Sequence, residues 1–125
     1  MESKTRIITR FIDDVVIFAI EGDYTRITVT PPTLYELVKD QLREGKRKIL
    51  FNFEQAGFVD SFGVREIIQT FTATKDLGGS FKLVPSRQLR LALEITKLVP
   101  DVLDAYPTEE AALASFAALP GPKGR

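Results

Sequence analysis

Residues 57–67, GFVDSFGVREI, carry the chain from an apolar segment into an amphipathic one. The apolar segment KILFNF lies just before them, at residues 48–53, and has the composition of a short β-strand. Four apolar residues beyond Ser61 recur at the spacing of one helical face: Val64, Ile67, Ile68 and Phe71. The stretch therefore predicts a strand that runs directly into a helix, with Asp60 and Ser61 at the helix start.

The rest of the chain alternates between strand-like and helical patterns. Strand candidates occupy residues 5–11, 15–21, 48–53 and 80–84, with a weak one at 102–106. A helical pattern follows each of them except the first. The order β-β-α-β-α-β-α-(β)-α predicts one α/β domain with about four helices. Its sheet should be mixed but mainly parallel, with four to five strands and the first strand as an antiparallel edge.

The predicted domain covers residues 1–118, and local signals mark the ends of its helices. Thr33 and Glu36 fit a capping box, in which each side chain satisfies a free backbone amide. Thr108 is a cap for the last helix, while Gly45 and Gly78 are natural helix stops. The remaining segment, LPGPKGR at residues 119–125, is predicted to be a flexible tail.

The composition excludes several kinds of chemistry. The 125 residues contain no cysteine and no histidine, so disulfides, Cys–His metal sites and a Ser-His-Asp triad are excluded within this chain. Seventeen basic residues balance seventeen acidic ones, which removes the usual electrostatic argument for direct nucleic-acid binding.

The hydropathy pattern gives no sign of a membrane segment. No apolar stretch approaches the roughly 20 residues that span a bilayer. The N-terminal segment also lacks the uninterrupted apolar run of a signal peptide. We therefore expect no membrane span and a cytoplasmic location.

Ser61 has three interpretations from its position alone. Asp60 or Ser61 could cap the following helix, a contribution of about 1 kcal/mol. A nucleophilic serine would lack a histidine base, and nothing in the sequence puts a lysine beside it. A phosphate acceptor would meet the free amides and the positive dipole end of the helix. The added phosphoryl group would bring about −1.5 to −2 charges beside Asp60.

The segment FVDSFG at residues 58–63 resembles the signature of the STAS-domain family, typified by bacterial anti-sigma factor antagonists. Those proteins commonly carry Asp-Ser-Ser/Thr-Gly at the start of the corresponding helix. The resemblance extends over about residues 5–116. It includes further segments in the same order: an EG turn at 21–22, ILFNF at 49–53, GGSFKLV at 78–84, LRLALEITKL at 89–98 and TEEAALASF at 108–116.

The resemblance implies a signalling role. In the family the phosphorylatable serine directly follows the aspartate, which is Ser61 here. Its cognate kinase, which is also the anti-sigma factor, uses ATP to modify that serine, and a PP2C-type serine phosphatase reverses the modification. The unmodified antagonist binds the anti-sigma factor and frees the sigma factor, whereas the phosphorylated form lets go. ATP and magnesium belong to the kinase, so no cofactor is expected in this chain.

Two features depart from the family pattern. Phe62 stands where a small hydroxyl residue is usual, and is either a buried anchor of the first helical turn or an exposed contact that selects a different partner. Thr25 stands where the family often has an aspartate, while Asp23 comes earlier. The surface beside the motif is therefore expected to differ in shape from that of typical members.

Three hypotheses about function follow. The leading one is a non-enzymatic switch, an anti-sigma factor antagonist that docks on its kinase while Ser61 is unmodified. The alternative is a constitutive STAS interaction or scaffold module, as in stress-signalling assemblies or lipid-transport accessories, in which Ser61 is only a cap. An enzyme that uses the carboxylates of Asp23, Asp60 and Glu66 is the least favoured, because acids near a helix start more often stabilise its dipole.

The predicted partner-binding residues lie at the carboxyl edge of the sheet or one helical turn beyond it: Asp23, Tyr24, Asp60, Ser61, Phe62, Gly63 and Arg65. Two of them have a second interpretation, Tyr24 as part of the core and Arg65 as solvent-facing helix surface. Gly63 is expected to keep the first turn uncrowded and to let a partner approach closely. The sequence leaves the oligomeric state open.

Overall fold

The computed structural model describes residues 4–99 and 101–117. Within them the strands are β1 Arg6–Ile12, β2 Val15–Tyr24, β3 Lys48–Val59 and β4 Ser80–Val84. The helices are α1 Leu34–Arg43, α2 Ser61–Asp76, α3 Arg87–Ile95 and α4 Glu109–Ala117. The predicted tail at 119–125 lies outside the described residues, as does residue 118.

The four strands form one sheet in the order β1-β2-β3-β4. β1 pairs with β2 antiparallel, whereas β2 with β3 and β3 with β4 are parallel. The helices α1 and α2 provide the two crossovers that parallel neighbours require. The predicted α/β fold, with its mixed sheet and antiparallel edge strand, is confirmed.

The fifth strand, predicted at 102–106, does not form. Only an isolated bridge joins Ala105 to Leu83 of β4. Two backbone bonds flank it, from the Leu83 amide to the Asp104 carbonyl and from the Tyr106 amide to the Leu83 carbonyl. The next bond of this ladder would run from the amide of residue 85 to the Tyr106 carbonyl, but residue 85 is Pro85 and has no amide hydrogen, so the pairing ends there.

Two strands run further than the sequence pattern predicts. β2 continues to Tyr24 through Gly22 and Asp23, and β3 continues to Val59 through Glu54 and Gln55, residues with little strand propensity. The pairing register shifts between Ala19 and Glu21 and again between Gly22 and Tyr24. Glu21-Gly22 is therefore part of an irregular strand and does not form a turn. Gly22 has a φ of +81°, and an added Cβ there would lie 2.0 Å from the carbonyl oxygen of Lys4, so only glycine fits.

Both faces of the sheet are covered by helices. One face packs against α1, α2 and α3, and its strand residues include Val16, Phe18, Ile49 and Phe51. The other face packs mainly against Ala112 and Phe116 of α4, and its strand residues include Val15, Ile17, Leu50 and Val84. The nearly continuous apolar pattern of β2 thus reflects burial on both faces.

The predicted capping signals are confirmed where they were assigned. The Thr33 hydroxyl accepts from the Glu36 amide at 3.3 Å, and the Glu36 carboxylate accepts from the Thr33 amide at 2.9 Å. The Thr108 hydroxyl accepts from the Ala111 amide at 3.1 Å, at the start of α4. In the described part of the chain, no helix has both the length and the apolar character that crossing a bilayer requires.

Candidate functional site

The candidate site lies where β2 and β3 end side by side. Tyr24 and Val59 are the last paired residues of the two strands. The loop after β2 and the first turn of α2 therefore meet at the carboxyl edge of the sheet. Functional groups of α/β proteins gather at this edge, because all the strand-to-helix connections open there.

Asp60 joins these two segments. It is the N-cap of α2, and its Oδ1 accepts a hydrogen bond from the Gly63 amide at 3.0 Å. Its Oδ2 accepts from the Arg26 amide, in the loop after β2, at 3.1 Å. Of the two possible caps, the structure assigns this role to Asp60, so Ser61 is not needed for it.

Ser61 is the first residue of α2, and its side chain is exposed. The neighbouring amides at this end of the helix have no intrahelical acceptor, since the first four amides of any helix lack one. Asp60 already caps the Gly63 amide, so an anion on the Ser61 oxygen would meet a positive helix end with the amides of Ser61 and Phe62 as the remaining donors.

Phe62 is half-buried and lies between the core and two guanidinium groups. Its ring stacks on the ring of Tyr24, with centroids 6.0 Å apart and an interplanar angle of 16°. The guanidinium carbon of Arg26 lies 5.8 Å from the Phe62 ring centroid, and that of Arg65 lies 5.9 Å from it. Phe62 is thus packed against the core on one side and partly accessible on the other, so it is neither a fully buried anchor nor a fully exposed side chain.

Tyr24 contributes to the site from inside the core. Its side chain is fully buried, and its hydroxyl donates to Glu66 Oε1 at 2.7 Å while accepting from the Leu34 amide at 2.8 Å. The same carboxylate oxygen accepts from the Tyr35 amide at 3.3 Å. Burial, together with the hydrogen bond to Glu66, raises the pKa of Tyr24 above its usual value, so the phenol stays protonated. Tyr24 closes the core and supports Phe62, and it offers no surface to a partner.

Gly63 is also buried. A Cβ at this position would lie 2.6 Å from Val59 Cγ1 and 2.7 Å from the Tyr24 carbonyl oxygen. Close packing of α2 on the ends of β2 and β3 therefore requires the glycine. The sequence led us to expect that Gly63 lets a partner approach closely. The structure shows instead that the missing side chain lets α2 pack against the strand ends.

Asp23 and Glu66 are held by structural hydrogen bonds. Asp23 is half-buried, and its Oδ1 accepts from the Phe58 amide at 2.8 Å. Glu66 lies beneath Tyr24, away from the exposed edge. The described residues contain no group of three or more acidic side chains placed to hold a metal ion.

Sequence reasoning missed three residues at this edge. Ile27 and Phe58 are strongly exposed apolar side chains, with 91% and 63% of their surface accessible. The third is Arg26, which is exposed and tied to Asp60 through its amide. Phe58 was inside the motif, and its exposure could have been found from its alternation with the inward-facing Val59. A groove of about 290 Å³ adjoins it, lined by Gly57, Phe58, Val59, Gln88, Leu89 and Ala92.

Comparison with known protein families identifies the domain. A family model described as the STAS domain matches residues 6–112. The chain belongs to the STAS family. Asp60 and Ser61 thus stand at the start of the second helix of a STAS domain, and the resemblance inferred from FVDSFG is confirmed. No curated protein matches this STAS domain in sequence.

Several solved structures share the fold of this STAS domain. A Thermotoga maritima protein assigned as an anti-sigma factor antagonist superposes with a TM-score of 0.75 at 24% identity, covering 87% of this chain and 92% of that one. An anti-sigma factor antagonist from Mycobacterium paratuberculosis has a TM-score of 0.74 at 17% identity, covering 92% and 97%. The Bacillus cell-fate determinant SpoIIAA in its phosphorylated form has a TM-score of 0.70 at 21% identity, covering 89% and 99%. At these identities the likeness is one of fold.

Proposed function

We propose that this STAS domain is an anti-sigma factor antagonist whose binding to an anti-sigma factor with serine-kinase activity is controlled by phosphorylation of Ser61. The observation that carries the proposal is the exposed hydroxyl of Ser61 at the first position of α2. A kinase can reach such a hydroxyl without any opening of the fold. Asp60 already caps the helix, so Ser61 is free for this second role.

The comparisons support the proposal at the level of fold and motif. Proteins with this fold include anti-sigma factor antagonists, and SpoIIAA has been solved carrying a phosphate. The Asp60-Ser61 pair matches the family pattern in which the serine after the aspartate accepts the phosphate. In this proposal the domain acts in the cytoplasm as a binding protein and catalyses no reaction itself.

The proposed switch works through charge at an apolar surface. The kinase transfers the γ-phosphoryl group of ATP to Ser61 Oγ; the hydroxyl proton and ADP leave. A PP2C-type phosphatase returns the phosphate to water and restores the hydroxyl. Exposed Ile27 and Phe58 belong to the loop after β2 and to the end of β3, the two segments that meet at Asp60, and they are suited to burial against a partner. A group carrying about −1.5 to −2 charges would have to be desolvated in that interface, which favours release.

Phosphate uptake tests the proposal directly. The purified domain is incubated with its cognate kinase and ATP, and intact mass is recorded. We expect the addition of one phosphate to the parent protein and to Thr72→Ala, which removes an exposed hydroxyl from the same helix. Ser61→Ala should take up none. Unchanged uptake by Ser61→Ala would contradict the assignment of the site.

A constitutive interaction or scaffold module is the second candidate. It is favoured by the apolar character of the edge, since Ile27 and Phe58 could hold a partner without any modification. Ser61→Asp separates the two functions. A switch should lose much of its affinity for the kinase, measured by calorimetry, whereas a scaffold should bind its partner equally well before and after the substitution.

A further inference from the structure

We propose that Arg26 and Arg65 form the binding site for the phosphoryl group on Ser61, an inference that rests on the proposed function. The ligand is a phosphomonoester dianion, held by two guanidinium groups and the N-terminus of α2. Neither arginine belongs to the motif that identifies the family, and the two come from different parts of the chain.

The first observation is that both guanidinium groups lie over the residue next to Ser61. Their carbons are 5.8 Å and 5.9 Å from the ring centroid of Phe62. Cation–π contacts of this kind contribute about 0.5–1 kcal/mol each at exposed sites. They are strong enough to favour one location for a long side chain and weak enough to be exchanged for a charged ligand.

The second observation is the absence of competing ion pairs. In the chain as described, six basic residues form salt bridges: Arg6, Arg10, Arg43, Lys48, Lys82 and Arg90. Arg26 and Arg65 are not among them, although both are exposed. Two guanidinium groups that share one aromatic ring repel each other, so an anion between them relieves an existing repulsion.

The backbone brings each arginine within reach of Ser61. Arg65 is four residues after Ser61 in α2, and side chains at this spacing are neighbours on the helix surface. Arg26 is held from the other side, because its amide donates to Asp60, the residue directly before Ser61. A phosphoryl group on Ser61 Oγ therefore lies between the two side chains.

The other charged groups at this edge do not occupy the site. Asp60 accepts hydrogen bonds from two backbone amides, and Asp23 accepts one from Phe58. Glu66 is buried under Tyr24. Guanidinium groups bind phosphate oxygens through paired N–H donors, a geometry that suits a dianion with three free oxygens.

Phe62 acquires a role in this arrangement. A small hydroxyl residue at this position would give the guanidinium groups no ring to rest on. The stacking of Phe62 on Tyr24 fixes the ring in the unmodified protein, so the two cations are gathered before the phosphate arrives. Such preorganisation lowers the entropic cost of ordering the arginines upon modification.

A phosphorus NMR titration tests the inference without any kinase. Phosphoserine is incorporated at position 61 during protein synthesis, and the chemical shift of the phosphate is followed between about pH 4 and pH 8, where its second pKa of about 6 falls. Nearby cations favour the dianion, so we expect this pKa to be about 1 unit lower than in a phosphoserine peptide. Arg26→Gln and Arg65→Gln should each recover part of the difference, and the double variant nearly all of it.

Arg87→Gln is the matched control, because Arg87 is an exposed arginine of α3 outside this edge. Circular dichroism of each variant confirms that the fold is retained. A parent protein that titrates like the peptide would overturn the inference, as would an equal shift in the control. If, in addition, the arginine variants of the unmodified protein bind the kinase more weakly than the parent does, Arg26 and Arg65 recognise carboxylates of the partner and not the phosphate. If the kinase does not modify Ser61, the proposed function is contradicted, but the result of the phosphorus titration is unaffected.

Discussion

At the scale of single residues, the edge of the sheet is organised by contacts that leave little free space. Asp60 ties the loop after β2 to the first turn of α2, and Gly63 lets that turn approach the strand ends. Ser61 lies between these two residues and has neither role. The exposed hydroxyl is therefore carried on a rigid base, which suits a group that must be modified without disturbing the fold.

Gly63→Ala should destabilise the domain, although alanine is the better helix former. The added Cβ would meet Val59 Cγ1 at 2.6 Å and the Tyr24 carbonyl oxygen at 2.7 Å, and the carbonyl belongs to the backbone of β2, which cannot move without shifting the strand. We expect the free energy of unfolding in urea to fall by about 1–3 kcal/mol. Gln69→Ala, at an exposed position of the same helix, should change it by no more than about 0.5 kcal/mol. If Gly63→Ala is as stable as the parent protein or more stable, α2 does not pack so closely on the strand ends that it requires a glycine.

At the scale of elements, the sequence predicts those parts whose signals are local. The capping box at Thr33 and the apolar core of β3 follow from neighbouring residues alone. The extension of β3 through Glu54 and Gln55 could not be predicted, because the pairing register shifts there and the exposed Gln55 pairs with Glu21 in the irregular part of β2. The same limit applies to the site. Asp60 and Ser61 are found by motif, whereas Arg26 reaches Asp60 across 34 residues of chain through a single backbone amide.

A buried hydrogen-bond network connects α1, α2 and the end of β2. Tyr24→Phe removes the hydroxyl that donates to Glu66 and accepts from the Leu34 amide, so two buried groups lose a partner. We expect the free energy of unfolding to fall by about 1–3 kcal/mol.

Tyr35→Phe is the control for this network. It also removes a phenolic hydroxyl, here from the half-buried ring of Tyr35, which follows Leu34 in the chain. None of the hydrogen bonds at the described residues involves the Tyr35 hydroxyl. If both variants lose the same free energy in urea unfolding, the network contributes nothing specific. If only Tyr24→Phe is destabilised, the hydrogen bonds to Glu66 and to the Leu34 amide of α1 stabilise the Tyr24 ring on which Phe62 stacks.

At the scale of the whole molecule, the charges of the chain balance, with seventeen basic and seventeen acidic residues. A phosphoryl group of about −1.5 to −2 charges therefore gives the domain a net charge that it otherwise lacks. The site lies on the edge reached from α1, α2 and the loop after β2, whereas α4 covers the opposite face of the sheet. Attachment of α4 can thus be examined separately from the switch.

The attachment of α4 should depend on pH through Glu109. Its Oε1 accepts from Arg10 Nη1 at 3.2 Å and from Asn52 Nδ2 at 2.8 Å, and its Oε2 accepts from Arg10 Nη2 at 2.6 Å. The hydrogen bond from Arg10, more than the opposing effect of burial, holds the pKa of Glu109 below its usual value. The folded state then binds fewer protons than the unfolded state, so this contribution is present above the usual carboxylate pKa and is lost as the pH falls through the lowered one.

Glu109→Gln should therefore reduce the difference in unfolding free energy between pH 7 and about pH 3. Because Arg10 is partly exposed, the change should be roughly 0.5–1 kcal/mol after solvent screening. Glu110→Gln removes an exposed acid from the same first turn of α4 and has the same relation to the helix dipole. Urea unfolding of the three proteins at both pH values measures the effect. An equal reduction in both variants would assign the pH dependence to the helix dipole and not to the contact that joins α4 to β1 and β3.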